Sequence, residues 1–161
     1  MARERPDPAR LLPGYYPFHG QVDTRFGDLD PYVHVNNVAT ASLLEEGRSQ
    51  FFTWLDALGP LPEEPSWRMI AEVRIRYLAQ IYHPSSLHVG AAVTEINRSS
   101  FILSQGLFLG ERCVTLCDTV YVHTDRQRAV TLTDFWRERL GMAGAKECNL
   151  TQPATVAPKQ S

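Results

Sequence analysis

One long helical segment followed by a run of strands constrains the fold of this chain more than any other feature. Apolar residues recur at helical spacing from just after Asn36 to Leu58, and Gly59-Pro60 then predicts a sharp stop. Turn signals separate the strand-like segments, which cover residues 20–26, 72–77, 87–96, 101–109 and 112–123. Strands joined by tight hairpins are antiparallel neighbours, so the pattern predicts an α+β fold in which an antiparallel sheet wraps around one long α-helix.

The length of 161 residues favours one domain. Residues 1–14 carry three prolines and alternating charges, which is typical of a flexible arm, and the polar residues 144–161 are typical of a flexible tail. The folded domain is therefore expected to span residues 15–143. Because one helix covers only one face of a sheet, we expect the remaining face or edge to pair with a second copy of the chain.

Composition excludes several classes of protein. The formal net charge is −2, so no broad positive surface is expected for nucleic acid or an anionic membrane. No apolar run approaches the roughly 20 residues that span a bilayer. The three cysteines form no disulfide framework, which favours a reducing compartment. The chain is therefore predicted to be cytoplasmic, with no nucleic-acid partner and no membrane partner.

The segment between the first strand and the helix concentrates polar chemistry. Asp28, Asp30 and His34 precede Asn36 and Asn37 at the helix start. Capping of the helix N-terminus explains an asparagine and one acid, but not two acids and a histidine together.

A metal loop is the main alternative to a catalytic segment. In a calcium loop that starts at Asp28, Val33 and Ala39 would occupy the positions that need glycine and glutamate. A zinc site would need a second histidine or cysteine at suitable spacing, and none is present. We therefore expect no metal here.

Arg48 falls inside the apolar stripe of the predicted helix. Burial of an unpaired guanidinium is costly, so a partner is expected. The candidates are Glu45, one helical turn earlier, and the acids at positions 28 and 30. This placement favours a buried role or a role in an active site.

The segment Arg25–Asp30, the run His34–Asn37 and the pair Glu45 and Arg48 together resemble the signature of hotdog-fold acyl-CoA thioesterases of the 4-hydroxybenzoyl-CoA thioesterase type. The first two segments are also similar to a stretch of plant acyl-carrier-protein thioesterases. The resemblance covers residues 20–140. It implies hydrolysis of an acyl-CoA or acyl-carrier-protein thioester without a cofactor, in a homodimer or homotetramer with its active site at a dimer interface.

The resemblance also implies a role for each matching residue. Asp30 corresponds to the catalytic carboxylate, as nucleophile or general base. His34 would orient Asp30, the substrate carbonyl or water, and Glu45 would hold water or Arg48. Backbone N–H groups near the helix start would polarise the carbonyl, because a helix N-terminus presents oriented donors. The residues implied in substrate binding are Asn36, Asn37, Val38, Arg48 and Ser100.

Two departures from the family pattern leave alternatives open. Val33 stands where the family usually has glycine, and Tyr32 stands where the plant enzymes have a catalytic asparagine. A hydratase or dehydratase of the same fold is one alternative, because Gly27–Pro31 is similar to the hydratase pattern. In that pattern asparagine would replace Asp30, and His34 lies one residue too far along. A non-catalytic acyl-CoA binding module is the other alternative.

Overall fold

The computed structural model describes residues 5–148, in which one long helix packs on a five-stranded antiparallel sheet. The sheet order is β1-β3-β4-β5-β2, and every pair of neighbours is antiparallel. This arrangement confirms the predicted fold class. The elements are β1 (Phe18–Asp23), α1 (Asn37–Asp56), β2 (Trp67–Tyr77), β3 (Ser86–Ile96), β4 (Ser100–Leu109), β5 (Arg112–Thr124) and α2 (Asp134–Gly141).

Helix α1 begins and ends close to where its sequence signals predict. Asn36 caps the start, because its side chain accepts the backbone N–H of Val38. The helix ends at Asp56, so Leu58, which was predicted to lie in the helix, lies beyond it and is exposed. The apolar face of α1 packs on the sheet, and Gly47 allows close approach: a Cβ there would lie 2.8 Å from a methyl group of Val89.

Arg139 of α2 binds the backbone carbonyls at the C-terminus of α1. The side chain is buried, and its guanidinium donates to the backbone carbonyls of Leu55, Asp56, Gly59 and Pro60 at 2.9–3.3 Å. The last carbonyls of a helix lack partners within the helix, and a cation also interacts favourably with the negative end of the helix dipole. The short helix after the sheet therefore holds the end of the central helix.

Strand β2 forms one edge of the sheet, with β5 as its one neighbour among the described strands. Its apolar side chains Ile70, Val73 and Tyr77 remain substantially exposed. An exposed apolar edge strand is a surface on which another chain can pair. Within residues 5–148, no helix is both long and apolar enough to cross a membrane.

The segment before β1 packs against the outer face of the sheet, which is the face away from α1. Residues 8–15 form two 3-10 turns, and Arg10 forms an ion pair with Asp118 of β5 at 2.7 Å. The predicted arm and tail include residues 1–4 and 149–161, which lie outside the described residues. The domain boundaries stay a prediction.

Candidate active site

A tight turn from Asp30 to His34 forms the centre of the site. The backbone N–H of Asp30 donates to the carbonyl of His34 at 2.8 Å, and that of Val33 donates to the carbonyl of Asp30 at 3.0 Å. Val33 has φ of 66°, in the left-handed region where glycine is favoured. The family resemblance implies glycine at this position, and this chain instead holds a β-branched residue in a strained conformation there.

The carboxylate of Asp30 has two unequal oxygens. Oδ1 accepts the backbone N–H of Tyr32 at 2.8 Å and that of His34 at 3.2 Å. No donor to Oδ2 is found among residues 5–148. The turn therefore fixes the carboxylate through one oxygen and leaves the other available to accept a proton or attack a carbon.

The first turn of α1, which follows a few residues later in the chain, presents a backbone donor. The N–H of Val38 is occupied by the side chain of Asn36 at 2.8 Å, and the N–H of Thr40 donates to the carbonyl of Asn36 at 2.8 Å. Within the described residues, the N–H of Asn37 has no acceptor. Asn37, unlike Val38, thus has a free donor at the helix start, where the helix dipole favours negative charge.

A cavity of about 260 Å³ brings these groups together. Asp30, His34 and Asn37 line it together with residues of the segment that follows β2. The remaining lining residues are Val35, Thr40, Tyr77, Ala79, Gln80 and Ile81. A carboxylate and a free helix N-terminus facing one cavity can activate a nucleophile and stabilise a developing oxyanion.

His34 contributes its backbone to Asp30 and its ring to an aromatic contact. The imidazole packs edge-on against Tyr82, with 5.1 Å between ring centroids. The hydroxyl of Tyr82 donates to Oε1 of Gln80 at 3.0 Å, and Gln80 lines the cavity. As aromatic residues, Tyr77 and Tyr82 are candidates from sequence for the lining of an acyl pocket, although such residues more often belong to the core. Gln80 carries no sequence signal, because it lies 50 positions from Asp30 and follows no recognisable spacing.

Asp28 has a structural environment different from that of Asp30. It is buried and accepts the backbone N–H of Arg25 at 2.8 Å and the guanidinium of Arg25 at 2.9 Å. Burial would raise the pKa of this carboxyl, but the hydrogen bonds from Arg25 outweigh burial, so the pKa lies below its ordinary value. Asp28 therefore stays ionised at neutral pH and, through Arg25, holds the segment that leads into the Asp30 turn.

The other residues implied in the site lie outside the cavity. Glu45 is exposed on α1, and Ser100 begins β4 opposite Val122 of β5. Arg48 is buried as expected, but its partner was predicted incorrectly: it donates to Oε1 of Gln105 at 3.4 Å and to neither Glu45 nor the acids of the loop. Burial raises the pKa of Tyr121, and the charge of Arg48 and a hydrogen bond from it oppose part of that rise.

The model of one protein family matches this chain over most of its length. The family is described as the thioesterase-like superfamily, and the match covers residues 24–140. The matched region contains every element from α1 to β5 and the whole of the Asp30 turn.

Similar proteins include one curated sequence and several solved structures. YsmA of Bacillus subtilis, described as uncharacterized, is 27% identical over 131 residues, which cover 78% of this chain and 86% of YsmA. A thioesterase from Thermus thermophilus, solved in complex with coenzyme A and Zn, is 26% identical with a TM-score of 0.68, over 80% of this chain and 95% of its own. The PA5185 protein of Pseudomonas aeruginosa is 24% identical with a TM-score of 0.70, over 83% of this chain and 96% of its own, and shares the fold.

Proposed function

This chain belongs to the thioesterase-like superfamily, and on that premise we propose that it hydrolyses an acyl-CoA thioester to a free acid and a thiol. The observation that carries the proposal is that one cavity is lined both by Asp30, whose Oδ2 has no donor among the described residues, and by Asn37, whose N–H has no acceptor there. A thioester carbonyl is already electrophilic. One carboxylate and one oriented donor are therefore sufficient machinery for its hydrolysis.

Two routes are consistent with this arrangement. In the first, Oδ2 of Asp30 takes a proton from water as the water oxygen attacks the carbonyl carbon. In the second, Oδ2 attacks the carbon itself, and water later cleaves the resulting anhydride. In both routes the C–S bond breaks, the thiolate leaves and is protonated, and the N–H of Asn37 donates to the oxygen that becomes negative.

The structure supports unequal roles for the other residues that the family resemblance implies. The backbone of His34 and the cap residue Asn36 hold the turn and the helix start in place. Gln80 faces the cavity with its oxygen occupied by Tyr82, so its amide N–H₂ is available to the substrate. Glu45, Arg48 and Ser100 support the site from outside the cavity in this proposal.

Coenzyme A is proposed as the thiol of the substrate. The Thermus thermophilus neighbour was solved with coenzyme A, which favours an acyl-CoA over an acyl-carrier-protein substrate. A homodimer that pairs through the exposed edge of β2 is also proposed. Tyr77 lies both on that edge and in the wall of the cavity, so a partner seated there would help to enclose the substrate. A cytoplasmic location remains a prediction.

The decisive experiment measures thiol release from a panel of short, long and aromatic acyl-CoA substrates, with acyl-carrier-protein thioesters included. Wild type is expected to release thiol from at least one acyl-CoA, and Asp30→Asn is expected to lose that activity. Loss of enoyl absorbance without thiol release would instead favour the hydratase alternative. Acyl-CoA binding without turnover would favour the non-catalytic module.

A further inference from the structure

A hydrogen bond from Tyr77 joins the end of strand β2 to the start of helix α1 at the candidate active site. The hydroxyl of Tyr77 donates to the backbone carbonyl of Asn37 at 3.3 Å, although the two residues lie 40 positions apart in the sequence. Both residues line the cavity that contains Asp30. The hydrogen bond therefore links two lining residues that come from distant segments of the chain.

The backbone around Tyr77 is held firmly by the neighbouring strand. Tyr77 is paired with Thr115 of β5. The N–H groups of Leu78 and Ala79, which follow it, both donate to the carbonyl of Val114, at 2.9 and 3.1 Å. A side chain that extends from a strand held in this way is positioned more precisely than one on a loop. The strand end can therefore serve as a fixed point for the start of α1.

The residue before the free N–H of the helix is held by other hydrogen bonds. The N–H of Asn36 donates to the carbonyl of Asp28 at 2.8 Å, and the side chain of Asn36 accepts the N–H of Val38. The N–H of Asn37 has no acceptor within the described part of the chain, but its carbonyl accepts the hydroxyl of Tyr77. Bonds at Asn36 thus hold the residue before this N–H, and Tyr77 holds the carbonyl that follows it.

We propose that Tyr77 is a positioning residue for hydrolysis, because its hydroxyl holds the start of α1 so that the N–H of Asn37 points to the substrate oxygen that becomes negative. This inference rests on the proposed function, in which that N–H stabilises the oxyanion. A donor stabilises a transition state most when its orientation is fixed before the reaction begins. Tyr77 thus acts through Asn37 and exchanges no proton with the substrate.

Tyr77→Phe tests the hydroxyl, because it keeps the ring at the cavity. We expect kcat for thiol release to fall by roughly three- to tenfold, the range for loss of one hydrogen bond. KM should change less than kcat, and the pH–rate profile should keep its shape. A lost limb of that profile would make Tyr77 an acid or base and overturn the positioning role. Tyr15→Phe, which removes a hydroxyl in the segment before β1, is the matched control and should change neither kcat nor KM.

Substitutions of Asn37 test whether Tyr77 acts through its N–H. Asn37 is the first residue of α1, where proline is well tolerated, and Asn36 has a ψ of 147°, which suits a residue before proline. Asn37→Pro should therefore keep the helix, remove the N–H and lower kcat by about 100-fold or more. Asn37→Ala removes the side chain and keeps the N–H.

The two Asn37 variants serve as backgrounds for a double-mutant cycle. Tyr77→Phe should lower kcat by the same factor in Asn37→Ala as in wild type. In Asn37→Pro it should lower kcat no further, because the group that Tyr77 positions is already absent. Circular dichroism checks that the helix is retained in Asn37→Pro. An equal loss from Tyr77→Phe in both backgrounds would overturn the proposal.

Amide hydrogen exchange tests the link without any substrate. Thr40 and Ala41, in the first turn of α1, are expected to exchange severalfold faster in Tyr77→Phe than in wild type. Equal exchange rates would overturn the proposal. A wild type that releases no thiol from any thioester would instead contradict the proposed hydrolysis, and the exchange rates would still decide whether Tyr77 holds the start of the helix.

Discussion

His34 donates its backbone N–H to Oδ1 of Asp30 at 3.2 Å, while its imidazole packs against Tyr82. The turn between the two residues orients the carboxylate, and an asparagine at position 30 keeps an oxygen that accepts the same N–H groups. Asp30→Asn should therefore fold like wild type and lose about 100-fold or more of its rate of thiol release. Glu111→Gln, which changes an exposed carboxylate in the turn between β4 and β5, serves as the matched control. Equal rates for wild type and Asp30→Asn would remove Asp30 from the mechanism.

Val33 offers a test of backbone strain. Its φ of 66° disfavours a β-branched residue, so Val33→Gly is expected to raise the free energy of unfolding. The gain should be about 1 kcal/mol, because the relief of strain exceeds the entropy that glycine loses on folding. Val38→Gly is the control, because Val38 is similarly exposed but lies in a regular helical turn, where glycine costs about 0.5–1 kcal/mol. Denaturant unfolding measures both, and destabilisation by Val33→Gly would contradict the strain argument.

The lowered pKa of Asp28 makes the free energy of unfolding depend on pH, in a direction that can be predicted. Its pKa is lower in the folded protein than in the unfolded chain, so its stabilising contribution is present above the unfolded pKa, about 3.9. The contribution is lost as pH falls through the folded pKa. Asp28→Asn should unfold more easily than wild type at pH 6, by about 1–2 kcal/mol. The difference should shrink below about pH 4. Denaturant unfolding at a series of pH values tests this, and a difference that widens in acid would refute the assigned sign.

Arg48 is expected to matter for stability more than for chemistry, because its partner is Gln105 in the core. Arg48→Ala should lower the free energy of unfolding by about 2–4 kcal/mol, through lost packing and an uncompensated Gln105 oxygen. Arg48→Met, which keeps the aliphatic stem, should cost less. Arg74→Ala removes an exposed arginine paired with Glu72 and should cost about 0.5 kcal/mol or less. A small effect of Arg48→Ala would place its side chain outside the core.

The edge of β2 gives a test of assembly. A lysine at Val73 would place a charge within the exposed apolar edge, so Val73→Lys is expected to convert a dimer to a monomer. Light scattering after size-exclusion chromatography measures the mass. Gln127→Lys, at an exposed turn after β5, should leave the assembly unchanged. Dimers that persist in Val73→Lys would place the interface elsewhere.

Local signals were sufficient to predict the fold class but not the complete strand order. The Asn36 cap and the Gly59-Pro60 stop bound the helix within two residues of its observed end, and tight turns order the hairpins from β3 to β5. The placement of β2 beside β5, rather than beside β3, depends on tertiary packing and has no local signal.

The site was predictable where it is local and not where it is assembled from distant segments. Asp30, His34 and Asn37 occur within eight positions, and all three line the cavity. Further lining residues come from the end of β2 and the segment after it, and Gln105 reaches Arg48 across 57 positions in the sequence. Helical spacing also favoured Glu45 as a partner for Arg48, because sequence alone does not distinguish a neighbour along the helix from one across the core.

The contacts of Arg139 with the end of α1 have a consequence for how the chain is made. During synthesis, residues 37–60 leave the ribosome long before residue 139 does. The carbonyls at the end of α1 that Arg139 later binds therefore lack this hydrogen-bond donor while the sheet is being translated. The C-terminus of the central helix thus gains its hydrogen bonds from Arg139 only when nearly all of the described chain has emerged. A nascent chain stalled before α2 would expose those unpaired carbonyls to chaperones.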